Sequence, residues 1–359
     1  MLLLQRAHVH GGLCRLAPAA HAIHAAAHGP VWGSSSSVSP PQLLPFSKAF
    51  EIANVYLAGH DVPDAEISAR YLICDVAKTG YRLSDFHRAS EAEELSLEQL
   101  QQLSSHCVQR AQRMPVQYIL GNWDFFGLCF ECRAPVLIPR PETEELVERV
   151  LATFPTDAPA APRILDVGAG TGAIGISLLH AFLHRESAAS TTSTTKASCL
   201  GLDISPAAVS LSALNAQRLL PPSLPSPYSC LLSSFLDYSQ SGHGDGLFDL
   251  VVSNPPYIPS DEMTALEPEV AVYEDHVALH GGEDGLDMVR ELLAGAGRLL
   301  RPTGRREMWI EVARRHPDII EALLRRDGPQ CEGREWELLE KITDLAGNPR
   351  FVRLRWRGG

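Results

Sequence analysis

The residues best suited to chemistry are Asn254, Pro255, Pro256 and Tyr257, which directly follow the apolar run "FDLVVS". An unbroken apolar run predicts a central parallel strand that is buried on both faces. Asn254 and Pro255 each precede a proline, so both are steered away from helical angles, and each proline fixes its own φ angle. The result is a stiff turn that can aim the side-chain oxygen of Asn254 and the carbonyl of Pro255 into one crevice.

Two acceptors held in this way suit the two hydrogens of a planar NH2 group. The π density of the nitrogen is perpendicular to that plane, so holding the plane points the nitrogen at an incoming methyl group, and such positioning supplies roughly 7 to 11 kcal/mol of a barrier. A protonated lysine fits poorly, because it has a third donor and no free lone pair. Tyr257 is predicted to supply an apolar wall. Asn254, Pro255 and Tyr257 are therefore the candidate catalytic residues, and Pro256 completes the substrate-binding set.

A second motif, "ILDVGAGTGAIG", places glycines at a predicted strand-to-helix turn. Glycines let a ligand approach the backbone, and the helix N-terminus behind them favours a carboxylate or phosphate. Gly168, Gly170 and Ala173 also satisfy the dinucleotide pattern G-x-G-x-x-G/A. Asp203 lies 35 positions after Gly168, against about 20 in an NAD site, and a Ser/Thr-rich insertion accounts for part of the excess. Position alone leaves the cofactor open, and Asp203 can bind ribose hydroxyls in either case.

These motifs need an alternating fold to position them. Strand and helix patterns alternate from "RILDVG" through "CLGLDIS", "YSCLLSSF", "FDLVVS" and "EMWIEV" to "WELLEKI" and "RFVRLRW". The alternation predicts an α/β protein with a doubly wound, largely parallel sheet. If the fourth strand lies beside the first, Asn254 and the glycines meet at the carboxyl ends of the strands, where ligands bind in such sheets.

Upstream, residues 46–115 have a helical pattern that predicts a small helical domain, with Ser96 and Gln99 forming a capping box. One predicted helix face combines Ala65, Ala69, Leu72, Ile73 and Val76.

Residues 116–160 read as a hairpin and a linker helix that opens at Pro141. Within them "GLCFECRAPVLI" is interpreted as one strand, in which Cys129 and Cys132 face opposite sides, so no metal site is expected there.

Composition limits the possible partners. The first fifty residues contain three basic residues and no acid, which predicts an organelle transit peptide over residues 1–45, with a disordered tail as the alternative. Beyond residue 50, 28 basic residues stand against 43 acidic ones, and this balance of about −15 argues against a chain built to neutralise phosphates. No run approaches ~18 uninterrupted apolar residues, so no membrane partner is expected.

Taken together, the motifs resemble the HemK-type release factor glutamine methyltransferases, in particular the mitochondrial member. The resemblance extends from about residue 50 to the C-terminus through "LIPRPETEELVE", "DVGAGTGAIG", "LDIS", "VSNPPYIP", "LEPEVAVYED" and "GGEDGLD".

This resemblance implies a Rossmann-like class I methyltransferase domain over residues 161–359, with S-adenosylmethionine as methyl donor. It implies that the acceptor is the glutamine side chain in the Gly-Gly-Gln motif of a peptide chain release factor, and that the helical domain docks this factor. With the predicted transit peptide, the mitochondrion, and within it the matrix, is the expected location, and the negative charge balance leads us to expect no direct nucleic-acid partner. Residues 254–257 would bind the target glutamine. The implied cofactor contacts are Gly168, Ala169, Gly170, Thr171, Gly172, Asp203, Phe235 and Asn254.

Two positions depart from the family pattern. Ser234 stands where the family often has an acid near the adenine, although Phe235 can still cover the ring. His276 takes a place often held by proline and is interpreted as loop variation.

Two other functions fit parts of the pattern. A nucleic-acid adenine-N6 methyltransferase would present the same planar NH2 to the same tetrapeptide, but the charge balance and the lack of a large domain to read and flip a base argue against it. A non-catalytic cofactor-binding protein of organelle assembly is a third possibility, which the intact glycine and Asn-Pro-Pro-Tyr motifs disfavour.

Overall fold

The computed structural model describes residues 43–154, 162–188, 197–222, 225–325 and 335–358. The predicted transit peptide, residues 1–45, lies outside the described residues except for its last three. The chain divides into two units, residues 1–120 and 121–359. Among the described helices, none has both the length and the apolar character needed to span a membrane.

The first unit is helical, as predicted. Its helices are α1 (Phe46–Ala58), α2 (Ala65–Ala77), α3 (Leu83–Ala92), α4 (Leu97–Ala111) and α5 (Val116–Leu120), and its two short antiparallel strands are β1 (Leu43–Pro45) and β2 (Glu94–Ser96). The capping box at the start of α4 is confirmed, since the Gln99 backbone N–H donates to Ser96 Oγ at 3.3 Å and the Ser96 N–H donates to Gln99 Oε1 at 2.9 Å. The predicted apolar face of α2 is buried at Ala69, Leu72 and Ile73.

The second unit begins with a hairpin of β3 (Asn122–Phe125) and β4 (Leu128–Glu131). The predicted single strand over "GLCFECRAPVLI" is wrong beyond Glu131. The Asn215 side chain accepts from the Glu131 N–H at 2.8 Å and donates to its carbonyl at 3.1 Å, so both backbone groups are already paired at this point. Pro135 and Pro139 then have no N–H to give to a ladder. No group of three metal-ligating side chains occurs among the described residues.

The main sheet has seven strands in the order β10-β11-β9-β8-β5-β6-β7. They are β5 (Arg163–Val167), β6 (Ser198–Asp203), β7 (Tyr228–Leu232), β8 (Leu250–Ser253), β9 (Glu307–Glu311), β10 (Trp336–Thr343) and β11 (Pro349–Trp356). Strands β5 to β9 are parallel, and β11 runs antiparallel to both β9 and β10. The chain winds outward from β5 in one direction and from β8 in the other. The predicted pairing of the first and fourth strands is therefore confirmed, and it creates the switch point at which ligands bind in such sheets.

Helices cover both faces of this sheet. The helices of the second unit are α6 (Pro141–Thr153), α7 (Ala173–Ala188), α8 (Pro206–Leu219), α9 (Phe235–Gln240), α10 (Pro268–Tyr273), α11 (Asp287–Leu299) and α12 (His316–Arg325), and α10 has no buried residue. Successive strand residues enter different cores, because side chains alternate across a strand. Ile164 and Val252 pack with α6 and α7, whereas Leu165 and Val251 pack with α9 and α11. Burial on both faces explains why the central strands are continuously apolar.

The capping box gives the first prediction. Replacing Ser96 by alanine removes one acceptor from the first turn of α4, so we expect the local free energy of opening to fall by about 1 kcal/mol, equivalent to roughly five-fold faster exchange of the Gln99 amide hydrogen. The matched control is Ser105→Ala in the same helix, where the side chain is exposed. Equal exchange in the two variants, measured by native-state hydrogen exchange, would show that the capping box contributes nothing.

Candidate functional site

The two sequence motifs meet at the carboxyl ends of β5 and β8. The last paired residues of these strands are Val167 and Ser253, so Gly168 and Asn254 are the next residues out on neighbouring strands. Ser253 Oγ donates to the Val167 carbonyl at 2.7 Å, which ties the two strand ends together. A Cβ atom built on Gly168 would lie 3.7 Å from the Asn254 carbonyl oxygen. The structure therefore brings the predicted cofactor turn and the predicted substrate turn into direct proximity.

The glycine turn, residues 168–172, has a backbone that suits glycine. Gly168, Gly170 and Gly172 have φ angles of +74°, +56° and +83°, in the left-handed region that side-chain-bearing residues rarely adopt. At Gly172 a Cβ would also come within 2.5 Å of Ile176 Cδ1. The two intervening residues, Ala169 and Thr171, are buried. The turn thus presents backbone rather than side chains beside Asn254.

Asp203 lies at the end of the neighbouring strand β6 and supports this turn. Its Oδ2 accepts from the Gly170 N–H at 2.9 Å, and its Oδ1 accepts from the Ser205 N–H at 2.9 Å. Burial raises the pKa of the Asp203 carboxyl, and the backbone hydrogen bonds oppose the shift. A third backbone hydrogen bond comes from Ile204, and a carboxylate has about four acceptor positions, so one remains for a ligand hydroxyl group.

Asp166, near the end of β5, contacts the start of the helix that follows the glycine turn. It is 1% exposed, and its Oδ2 accepts from the Gly175 N–H at the start of α7 at 2.9 Å. Burial raises the pKa of Asp166 to about 7, with a further contribution from the nearby Asp203 carboxylate. Its other oxygen has no hydrogen-bond donor among the described residues.

The Asn-Pro-Pro-Tyr turn, residues 254–257, is oriented by side-chain contacts. The amide nitrogen of Asn254 donates to Thr143 Oγ1 at 3.2 Å, so the side-chain oxygen is the atom that is turned away from Thr143. Pro255 is buried and Tyr257 is half-buried. Burial, with the charge of Glu311, raises the pKa of Tyr257 to about 12. The phenol therefore stays protonated at neutral pH and cannot act as a general base there.

A return loop, residues 281–285, lies directly on this turn. The chain leaves the sheet after Ser253, and a later segment comes back beside Ile258, whose carbonyl accepts from the Gly281 N–H at 2.9 Å. A Cβ on Gly281 would lie 2.6 Å from the Pro256 carbonyl oxygen. Gly285 has a φ of +79°, and a Cβ there would collide with the Tyr257 carbonyl and lie 2.9 Å from His316 Cε1. The glycines of "GGEDG" thus allow backbone to pack on backbone.

An ion pair fastens the segment between the turn and the return loop. Arg140, which precedes α6, contacts Glu274 at 2.5 Å, and the Glu274 side chain is almost fully buried. A buried carboxylate needs such a partner, because an unpaired charge in this position would be strongly destabilising. The start of α6 therefore anchors the 259–280 segment.

Three further predicted positions are placed as follows. Phe235 is 4% exposed, and its ring packs on α11, where Cε1 lies 3.0 Å from the Cβ position of Gly295. Its contact with an adenine ring stays a prediction. The Ser234 hydroxyl caps α9 by accepting from the Asp237 N–H at 3.0 Å. His276 is exposed, and its ring nitrogen lies 2.7 Å from the Ala271 carbonyl, in keeping with a loop role.

Sequence reasoning missed several residues of this site. Four residues touch the Asn-Pro-Pro-Tyr turn or its partners without having been singled out: Thr143, Glu311, Gly281 and Gly285. The segments of Thr143 and the two glycines were noted as family motifs, and Glu311 was noted only as part of the predicted strand "EMWIEV". The glycine-rich "GGEDG" was a signal for close backbone approach. No comparable signal marks Thr143 or Glu311.

Comparison with known proteins gives consistent matches over both units. The family model of the PrmC N-terminal domain matches residues 48–121. The MTRF1L release factor glutamine methyltransferase of Homo sapiens is 36% identical over 338 residues, 91% of this chain and 93% of the human protein. The release factor glutamine methyltransferase of Geobacter sulfurreducens is 34% identical over 275 residues, 76% of this chain and 84% of the bacterial protein. Among solved structures, the release-factor-specific protein-(glutamine-N5) methyltransferase of Alicyclobacillus acidocaldarius matches at 25% identity and a TM-score of 0.34, covering 63% of this chain and 99% of that one.

The return loop gives the second prediction. Gly285→Ala should destabilise the second unit more than Gly347→Ala, by about 1 to 3 kcal/mol, because overpacking adds to the backbone strain. Gly347 is a matched control, since its φ is +82° and a Cβ there would meet nothing within 4 Å. Urea unfolding of both full-length variants measures the difference, and hydrogen exchange should show lost protection at Ile258. Equal destabilisation would show that the return loop does not constrain the turn.

Proposed function

Because the chain belongs to the release factor glutamine methyltransferases, we propose that it transfers a methyl group from S-adenosylmethionine to the side-chain nitrogen of the glutamine in the Gly-Gly-Gln motif of a peptide chain release factor. The observation that carries this proposal is the placement of the Asn-Pro-Pro-Tyr turn beside the glycine turn, at the ends of β8 and β5. One turn suits a nucleoside cofactor and the other suits a planar NH2 group.

The residues around the glycine turn fit S-adenosylmethionine. The Gly168 backbone is exposed at the end of β5, and Asp203 has an acceptor position left for a ribose hydroxyl. We assign Phe235 to the adenine side and Asn254 to the side of the reacting methyl group. When bound, this cofactor supplies a methyl group on a positively charged sulfur.

In this mechanism the protein acts by positioning the substrate amide against the methyl group. The Asn254 side-chain oxygen and the Pro255 carbonyl accept the two hydrogens of the substrate amide, which fixes its plane and points its nitrogen at the methyl group. Tyr257 and Pro256 form the wall of the substrate site. With the cofactor bound, the substrate nitrogen would form its bond to the methyl carbon as the bond from that carbon to sulfur breaks, and the nitrogen would then lose one proton to water or to an acceptor carbonyl. Tyr257 does not take this proton, because its pKa is raised to about 12.

The domains divide the work in this proposal. Residues 46–115 dock the release factor, and residues 116–160 connect this domain with the catalytic one. Residues 161–359 bind the cofactor and transfer its methyl group. Residues 1–45 direct the chain to the mitochondrion, where the matrix is the proposed site of action. Support for this location comes from the absence of acidic residues and the presence of arginine in that segment.

The third prediction concerns Asn254. Asn254→Ala should lower kcat for release factor methylation at least about 100-fold, because the amide plane is no longer held, while the affinity for S-adenosylmethionine changes little. The control is Asn122→Ala in the β3–β4 hairpin. Methylation is measured with labelled donor and located by mass spectrometry, and cofactor affinity by calorimetry. Full activity in Asn254→Ala would remove this residue from the chemistry.

The same assay separates the proposal from its alternatives. A release factor whose Gly-Gly-Gln glutamine is replaced by alanine should remain unlabelled. Labelling of DNA or RNA, but not of the release factor, would instead identify an adenine methyltransferase. Cofactor binding without transfer to either substrate would identify a non-catalytic binding protein.

A further inference from the structure

A chain of hydrogen-bonded side chains runs from the sheet core to Asn254. Glu311 is the last residue of β9 and Thr143 lies in the first turn of α6, and both are almost completely buried, at 0% and 3% exposure. Thr143 Oγ1 donates to Glu311 Oε2 at 2.7 Å. The Asn254 amide nitrogen donates to the same Thr143 oxygen at 3.2 Å. This relay, Glu311–Thr143–Asn254, connects a strand end with the predicted catalytic turn.

The hydrogen count of the relay decides which way Asn254 faces. A threonine hydroxyl has one hydrogen, and an ionised glutamate can only accept. Thr143 gives its hydrogen to Glu311, so only lone pairs are left to face Asn254. These lone pairs attract the NH2 end of the amide and repel its oxygen. The two ends of an asparagine amide are nearly identical in shape, so such a network is what distinguishes them.

We propose that Thr143 and Glu311 are positioning residues for methyl transfer, which together hold the Asn254 amide with its oxygen facing the substrate glutamine. This inference rests on the proposed function, because the planar NH2 of a glutamine is the group that needs this acceptor. Neither residue touches the substrate or the cofactor in this scheme. Both act through Asn254.

The burial of Glu311 supports a role beyond stability. Its second oxygen, Oε1, has no hydrogen-bond donor among the described residues, and such a group costs free energy in a folded protein. Burial raises the pKa of Glu311 to about 7, against the opposing hydrogen bond from Thr143. The charged and titratable groups that face this carboxyl come from α6 and the residue before it, from β11 and from the turn after β8: Arg140, Glu142, Arg350 and Tyr257.

Protonation of Glu311 would weaken the orientation of Asn254. A neutral carboxyl can donate its own hydrogen to Thr143 Oγ1, which frees the threonine hydrogen to point at Asn254. The reversed amide then becomes acceptable. The productive orientation is therefore favoured when Glu311 is ionised, above about pH 7, and is lost as the pH falls through that value.

The fourth prediction tests the relay with conservative changes in the full-length protein. Thr143→Val keeps the shape and removes the hydroxyl, and should lower kcat about 10- to 100-fold, with the KM for release factor and the affinity for S-adenosylmethionine within about three-fold of wild type. Thr143→Ser keeps the hydroxyl and should restore most of kcat. Thr153→Val is the matched control in the same helix, where the hydroxyl donates to the Val150 carbonyl at 2.7 Å, and should retain wild-type kcat.

The pH dependence supplies a readout that a merely structural contact would not move. In the wild type, kcat should fall as the pH is lowered through about 7, and this decline should be flattened in Thr143→Val and in Glu311→Gln. A second measurement needs no activity. The pKa of Glu311 in the folded protein lies above its usual value of 4.5, so its protonated form stabilises the wild type below pH 4.5, and this contribution is lost as the pH rises through 7. Glu311→Gln does not titrate here. Its urea resistance relative to the wild type should therefore increase between pH 5 and pH 8.

The outcomes separate this inference from the function on which it rests. If the wild type methylates a release factor and Thr143→Val is equally active, the relay is wrong and the function stands. The relay would also be overturned if Thr143→Val and Thr143→Ser lost kcat equally and if this loss followed their loss of unfolding free energy. Thr143 would then have only a structural role. A wild-type chain that leaves release factors unmethylated would overturn the proposed function, and the inference with it.

Discussion

The parallel pairing of β5 with β8 is the interaction on which the site depends. Its last pair, Val167 with Ser253, sets Gly168 and Asn254 side by side at the switch point of the sheet. Neighbouring strands lie about 4.8 Å apart, so residues that follow paired strand ends are held at contact distance. A slip of one residue would also exchange the side chains between the two cores, which opposes any other register. The hydrophobic layers on both faces thus fix the geometry of a polar site.

Rigidity of the substrate turn comes from contacts on more than one side. Its prolines restrict the backbone, the return loop packs on the carbonyls of Pro256 and Tyr257, and Thr143 holds the Asn254 side chain. Polar groups in this position are costly, as the raised pKa values of the buried Asp166 and Glu311 carboxyls show. Burying these carboxyl groups away from water therefore lowers the stability of the protein, while it places hydrogen-bond acceptors at defined positions.

The first turns of α6 connect the separate parts of the site. Arg140 pairs with the 259–280 segment, Thr143 joins β9 to Asn254, and Glu145 accepts from the Leu345 N–H in the β10–β11 turn at 3.1 Å. These partners are distant in sequence and come from different elements. The proline at the first helical position fixes where α6 begins, and this sets the positions of the three side chains at its start. This explains how a short polar stretch outside the sheet can govern the site.

The sequence by itself determined the alternation of strands and helices, the capping box, the glycine turn and the stiff turn at residues 254–257, because periodicity, proline and glycine act on their immediate neighbours. Tertiary structure decided the rest. Thr143 meets Asn254 across 111 positions and Glu311 across 168, and Asn215 ends β4 from 84 positions away. The packing of the Phe235 ring against α11 was likewise decided by the fold, and its contact with an adenine ring stays a prediction. A side-chain hydrogen bond between distant residues leaves no periodic trace in the sequence, because its partners are chosen only when the packed sheet and helices bring them together.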